Sequence, residues 1–142
     1  MIKIYTDGAC SGNPGKGGWG AVIINKDDNV KKISGSANNT TNNRMELMAV
    51  IASLKYAYDE NINVFTDSKY VKNGMETWII NWKKNGWKTK NKQDVKNKDL
   101  WIELDNLQAN RNIKWNWVKG HADDVYNNMA DELARLAIKP LA

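Results

Sequence analysis

The run Arg44-Met45-Glu46-Leu47-Met48-Ala49-Val50-Ile51-Ala52-Ser53-Leu54-Lys55-Tyr56-Ala57 constrains the fold more than any other part of the 142-residue chain. Its period is helical: Met45, Met48, Ala49, Ala52 and Tyr56 line one side, and Leu47, Ile51 and Leu54 widen the apolar face. A helix with so little polar surface has to be buried against other structure. On its amino side, residues 2–9 alternate Ile2, Ile4, Thr6 against Lys3, Tyr5, Asp7, the period of a strand. On its carboxyl side, Asn63-Val64-Phe65-Thr66 is a second short strand. Strand, helix, strand is a crossover, which makes the two strands parallel neighbours.

The rest of the chain builds onto that unit. Trp19–Ile24 and Val30–Ser36 read as strands joined by the turn at Lys26-Asp27-Asp28-Asn29, so the first three strands form an antiparallel meander. Asn38 to Asn43 reads as a polar loop. Helices are expected over Lys69–Met75 continuing through Trp82, over Asp99–Asn110, and over Asn127–Ile138 with Met129, Ala130, Leu133, Leu136 and Ala137 inward. Ile113–Val118 is the last strand. The order is βββαβα(αα)βα, without repeats or linkers. It predicts an α/β fold as one domain over residues 1–142: a five-stranded mixed sheet, three antiparallel strands then parallel crossovers, flanked by helices.

Two acids leave this sheet at one edge. Thr6-Asp7-Gly8 and Thr66-Asp67-Ser68 each carry an aspartate at the carboxyl end of a strand, and in open α/β sheets ligands bind outside that edge. Six of the ten glycines fall between Gly8 and Gly20. Bare backbone beside a carboxylate suggests a surface against which a large anionic partner lies, although a tight loop entering a hairpin accounts for the same residues. Local alternatives stand beside the other acids too. Glu46 with Asn43 fits a capping box, Asp67 fits a helix cap, and Asp131 fits a favourable charge in a first helical turn.

Charge is concentrated. Residues 83–98 carry seven lysines and one aspartate. With +6 in these sixteen residues and +5 overall, the remainder nets to −1. A local patch of this kind favours a polyanion. The single cysteine, Cys10, excludes an internal disulfide, fits a reducing compartment and suits a small buried position. No window reaches membrane-spanning length and no secretory signal pattern is present, so a cytoplasmic protein is expected, with a monomer as the default.

Six segments in order resemble the type 1 ribonuclease H family, ribonuclease HI of bacterial type: Thr6-Asp7-Gly8 with Gly12-Asn13-Pro14-Gly15; Thr41-Asn42-Asn43-Arg44-Met45-Glu46-Leu47; Thr66-Asp67-Ser68; Trp78 to Trp87 leading into the lysines; Trp117-Val118-Lys119-Gly120-His121; and Asp131-Glu132-Leu133-Ala134. The resemblance implies a ribonuclease H-like fold and hydrolysis of the RNA strand of RNA–DNA hybrids by two metal ions, leaving 5′-phosphate and 3′-hydroxyl ends. It implies that Asp7, Glu46, Asp67 and Asp131 bind Mg²⁺, with Mn²⁺ as a substitute. His121 becomes an auxiliary proton carrier. The hybrid is expected to touch Cys10, Gly12, Asn13, Thr41, Asn42 and Asn43 on one strand. On the other it meets Trp78, Trp87 and the basic protrusion, Lys83, Lys84, Lys88, Lys90, Lys92, Lys96 and Lys98, with Asn127 near the site. Residues 123–126 match no motif of the family. A DNA-cutting enzyme on the same fold and a non-catalytic hybrid-binding module are the competing readings.

Chemistry asks for such a cluster. Four converging carboxylates repel, two unit charges 4 Å apart costing on the order of 4 kcal/mol at an effective dielectric of 20, and divalent cations remove that cost. Oxygen ligands without a thiolate or imidazole cage select a hard ion.

Overall fold

The computed structural model describes residues 1–59, 61–118 and 124–138. Five strands, β1 (Ile2–Cys10), β2 (Gly15–Ile24), β3 (Val30–Thr40), β4 (Asn61–Thr66) and β5 (Asn112–Trp117), form one sheet in the order β3-β2-β1-β4-β5. β1 pairs antiparallel with β2, and β2 with β3, whereas β4 runs parallel to both β1 and β5. The expected meander followed by parallel crossovers is what forms. The helices are α1 (Asn42–Tyr56), α2 (Lys69–Asn73), α3 (Ile79–Lys84), α4 (Lys98–Gln108) and α5 (Val125–Ile138). A π-helical turn, Gly74–Trp78, joins α2 to α3.

Strand alternation sorts the core into two layers. Ile4, Ile23, Ile62 and Val64 face the main cluster, with Leu47, Val50 and Leu54 of α1, Val71 of α2, and Trp101 and Leu104 of α4. Val22 and Ile24 point to the other face, where Tyr5, Tyr126, Met129, Ala130 and Leu133 cover them. The sheet therefore lies between α1–α4 and the single helix α5.

Several boundaries differ from the sequence expectation. Gly15 to Gly18 is strand, paired with β3, and Asn38-Asn39-Thr40 extends β3 where a loop was expected. The glycine-dense stretch is thus only in small part a bare surface: Gly8, Gly17, Gly18 and Gly20 are buried. A Cβ on Gly8 would lie 2.5 Å from the Glu46 amide nitrogen, and one on Gly20 would lie 2.6 Å from the Ala130 carbonyl oxygen and 2.5 Å from Leu133 Cβ. The missing side chains let α1 and α5 lie directly on the sheet. In α5 the inward stripe is Asn127, Ala130 and Ala134, and Leu136 is 51% exposed, because the helix begins at Val125 and small residues meet the glycine strand. Tyr56, expected on the apolar face of α1, is exposed at its last position.

Gly20→Ala should overpack this contact and cost about 1–3 kcal/mol, seen as a lower urea midpoint with unchanged slope. Gly86→Asn should stay within about 0.5 kcal/mol, since Gly86 has φ +65 with nothing within 4 Å of a Cβ and asparagine tolerates the left-handed region.

Candidate active site

Three carboxylates meet at the carboxyl edge of the sheet. One oxygen from each of Asp7, Glu46 and Asp67 lies within 4.8 Å of the others. Asp7 lies in the buried part of β1 and is 5% exposed, with Oδ1 accepting from the Gly8 amide at 2.9 Å. Asp67 follows β4, which runs parallel to β1 with Thr66 opposite Thr6. Glu46 comes from α1 and is 3% exposed.

Other groups take over the capping roles that these acids could have filled. Thr41 caps α1, its hydroxyl accepting from Arg44 N at 3.2 Å. The helix starts at Asn42, so Glu46 lies past the third helical position from which a side chain reaches back, and the Asn43–Glu46 capping box does not form. Ser68 caps α2, accepting from Val71 N at 3.2 Å, which leaves the Asp67 carboxylate uncommitted. The Trp117 indole donates to the Asp67 carbonyl at 3.2 Å and fixes the turn beneath it. Because α5 begins at Val125, Asp131 sits in its second turn and not in the first. Asp131 reaches hydrogen-bond range of Asp7 and holds Arg135, whose Nε donates to Oδ2 at 3.1 Å. Asp7 is therefore the centre around which the other three acids stand.

The electrostatics of this cluster are strained. Burial is the main force pushing the Asp7 carboxyl up to about 7, and the Asp67 charge and Asp131 add to it, while hydrogen bonds from Glu46 and the Gly8 amide pull it partly back. Glu46 is held well above the usual carboxylate range by burial and then by Asp7; Asp67 is raised by burial with a contribution from Asp131. Glu46 Oε2 is buried without a hydrogen-bond partner. An orphaned buried acceptor beside two raised carboxyls is a site short of positive charge. A hard divalent cation fits that deficit, as the donor set is all oxygen.

The remaining residues singled out in the sequence fall into three groups. Gly12, Asn13, Asn42 and Asn43 are exposed near this edge, with Thr41 half-buried between strand and helix. Cys10 is half-buried, its thiol 3.4 Å from the Thr40 carbonyl oxygen. Asn127 is 2% exposed and therefore a buried neighbour of the site, not a surface that a duplex could touch. His121 and Asp123 lie outside the described residues.

The basic stretch leaves the body at the end of α3 and returns at α4. It is an irregular arm closed by a bridge between Lys88 and Asp94. Trp82 packs on Trp78, Trp87 and Trp101, and Val95 is buried beneath, so the tryptophans mainly anchor the arm; Trp78 remains 36% exposed. Three lysines have acidic partners: Lys83 with Asp105, and Lys88 and Lys98 with Asp94. Lys84, Lys90, Lys92 and Lys96 are exposed and make no ion pair among the described residues, so the free charge of the arm is theirs. A cavity of about 750 Å³ beside Lys26, Tyr58, Asn61 and Arg111 lies at the amino ends of β4 and β5, away from the acids.

Sequence reasoning missed Arg135 and Trp117 as supports of the acids. The spacing of Asp131 and Arg135, four residues on a helix, carried a readable signal. The contact of Trp117 with the Asp67 carbonyl carried none.

Comparison with known proteins agrees with this arrangement. The sequence model of the family described as RNase H matches residues 1–139. Ribonuclease H of Wolbachia pipientis wMel is 59% identical over 138 residues, covering 96% of this chain and 94% of that protein. Ribonuclease H of Francisella philomiragia is 56% identical over 142 residues, covering 99% and 92%. Among solved structures, LC9-RNase H1, described as a type 1 RNase H with the type 2 active-site motif, is similar with a TM-score of 0.84 and 30% identity over 96% of this chain and 71% of that one. LC11-RNase H1 in complex with RNA/DNA hybrid gives a TM-score of 0.73 and 27% identity over 97% and 96%. With its match spanning nearly every residue and its acids gathered where the fold places a ligand, the chain belongs to the ribonuclease H family.

Proposed function

We propose that this chain is an endonuclease that hydrolyses the RNA strand of RNA–DNA hybrids, leaving 5′-phosphate and 3′-hydroxyl ends. It acts as a monomeric, cytoplasmic, single-domain enzyme. The observation that carries this reading is the convergence of Asp7, Glu46 and Asp67, with Asp131 beside them, around a buried oxygen that has no partner. Two divalent ions, Mg²⁺ with Mn²⁺ as substitute, would supply an activated water, charge neutralisation and stabilisation of the departing oxygen.

The chain's own residues prepare that chemistry. Asp7 is the shared ligand in this reading, because Glu46 and Asp131 both come within hydrogen-bond reach of it and the Asp67 charge stands beside it. Glu46 and Asp67 complete the oxygen set from α1 and from the turn after β4, both freed from capping by Thr41 and Ser68. Asp131 adds a fourth carboxylate from the other side of the sheet. His121 is the proton carrier in this reading, since imidazole is the side chain whose unperturbed charge change falls near neutral pH. A protein tells RNA from DNA at the 2′-hydroxyl, reached in the wide minor groove of an A-like duplex. Exposed Asn13, Asn42 and Asn43 both donate and accept, which suits that group. Phosphates of the opposite strand meet Lys84, Lys90, Lys92 and Lys96, the unpaired charges of the arm. No helix among the described residues is long and apolar enough to cross a membrane.

Cleavage of a labelled RNA–DNA hybrid with Mg²⁺ and with EDTA, beside single-stranded RNA, RNA–RNA and DNA–DNA, tests the reaction. Cutting should be confined to the hybrid and absent with EDTA. Asp7→Asn, Glu46→Gln or Asp67→Asn should lower kcat about 10²–10⁴-fold, the equivalent of several kcal/mol of charge stabilisation. His121→Ala should slow turnover but leave measurable activity; loss as complete as in Asp7→Asn would make the auxiliary role wrong.

The raised carboxyls also link metal to stability. Asp7 has a folded pKa of about 7 against an ordinary 3.8, so its neutral form is the one the folded state favours. That contribution is fully present below the ordinary value and is lost as the pH rises through about 7. Without divalent ions, thermal stability should fall between about pH 4 and pH 8, and Mg²⁺ should raise Tm more at about pH 8 than at about pH 5. An equal Mg²⁺ effect at both would contradict the assignment.

Changing Lys84, Lys90, Lys92 and Lys96 to glutamine should weaken hybrid binding and reduce its salt slope by roughly 0.9 for each phosphate that the arm no longer neutralises. Unchanged affinity and slope would remove the arm from the interface.

A further inference from the structure

The arm and the acids are joined by one polar network. Arg44 lies on α1 two residues before Glu46, and its guanidinium grips Asp99 at both carboxylate oxygens, Nη1 to Oδ1 at 3.0 Å and Nη2 to Oδ2 at 2.8 Å. Nη1 also donates to Asn97 Oδ1 at 3.3 Å. Asn97 closes the basic arm in the left-handed conformation, at φ +60, and caps the path into α4, its carbonyl accepting from the Leu100 and Trp101 amides at 3.0 Å. Its own amide donates to the Tyr70 hydroxyl at 3.0 Å, and the Trp101 indole donates to that oxygen at 3.1 Å. Tyr70 lies on α2, three residues past Asp67. The last residue of the arm is therefore tied at once to the helix that carries Glu46 and to the helix that follows Asp67.

A bidentate arginine–carboxylate pair fixes orientation as well as distance. Here it fixes the angle at which a lysine-bearing arm leaves the body, because Asn97 is held on two sides, whereas the backbone bonds within the arm, Val95 N to the Trp87 carbonyl at 3.1 Å, Thr89 N to the Gln93 carbonyl at 2.7 Å and Lys92 N to the Thr89 carbonyl at 2.9 Å, close it on itself and do not join it to α1 or α2. Arg44 raises no acid of the cluster and is raised itself by Asp99, whose carboxyl it holds below the usual range. Its work is mechanical.

We infer that Arg44, through Asp99 and Asn97, is a positioning residue that sets the distance between the acidic cluster and the phosphate-gripping arm, so that a hybrid engaged by the acids also reaches the lysines. The inference rests on the proposed hybrid cleavage and deepens it.

Steady-state kinetics on two hybrids test it, one long enough to span the acids and the arm and one too short to reach the arm. Arg44→Gln, Arg44→Lys and Asp99→Asn should each raise KM for the long hybrid about three- to tenfold, flatten its salt dependence and leave kcat unchanged. KM for the short hybrid should not move. When Lys84, Lys90, Lys92 and Lys96 are glutamine, adding Arg44→Gln should have no further effect. A fall in Tm with unchanged KM for the long hybrid, an equal KM effect on both hybrids, or additivity with the lysine changes would overturn the inference. If Arg44→Gln does not fold, Arg44→Lys keeps the charge and loses the fork, and the same outcomes apply. Should the four lysine changes alone leave KM and salt slope untouched, the arm reading itself fails, which is distinguishable from failure of the Arg44 link.

Discussion

Close approach of helix backbone to the sheet is the condition on which the site depends. Gly8 and Gly20 flank Asp7, Gly8 next in sequence and Gly20 directly opposite on β2. At Gly8 the amide end of Glu46 lies where a side chain would stand, and at Gly20 the α5 backbone does so at Ala130, one residue before Asp131. Dispersion and burial pull both helices to this distance, and interiors this dense transmit any added methylene as a shift. Two acids on helices of opposite faces are thereby brought to one acid on a strand.

Nearness carries an electrostatic cost that the fold does not relieve by itself. Burial and mutual repulsion raise Asp7, Glu46 and Asp67 together, and the free Oε2 of Glu46 shows that no protein donor was supplied to balance them. Around the cluster the opposite policy holds: helix starts are capped by Thr41 and Ser68, Asp131 has Arg135, and Asp99 has Arg44. Capped helix starts and paired outer acids around an unsatisfied centre are what a preorganised cation site requires.

Much of this was readable from residue order. The buried helix around Leu47 and Val50, the two Thr-Asp steps and the crossover between them gave the sheet and the edge where acids emerge. Local rules failed where tertiary contact overrode them. The Gly15–Gly18 run looked like loop because glycine weakens a strand, yet it is strand, and at Gly18 its bareness admits α5. Asn38 and Asn39 looked like loop because asparagine favours turns, yet β2 continues beside them. Glu46 looked like half of a capping box because the true cap, Thr41, lies two residues earlier than the motif suggested. Leu136 was placed inward by periodicity, but the face of α5 that meets the sheet is set by Ala130 and Ala134. The union of Arg44, Asn97 and Tyr70 had no sequence signal, since the three residues come from separate elements and meet only when folded.

The π-helical turn at Gly74–Trp78 bears on how such a chain can change. A π turn holds one more residue than an α turn, so α2 and α3 form a single rod along which the sequence period slips by one residue. Gly74 sits at the slip, where a Cβ would strike the Trp101 ring, so the ring occupies the gap that the slip opens. Loss of one residue from this turn would restore a continuous α-helix and leave everything beyond it facing almost the same way, since a π turn accommodates its extra residue within the turn. The turn thus absorbs one residue without re-aiming the arm, so the length of this segment can change by one while the arm keeps its direction.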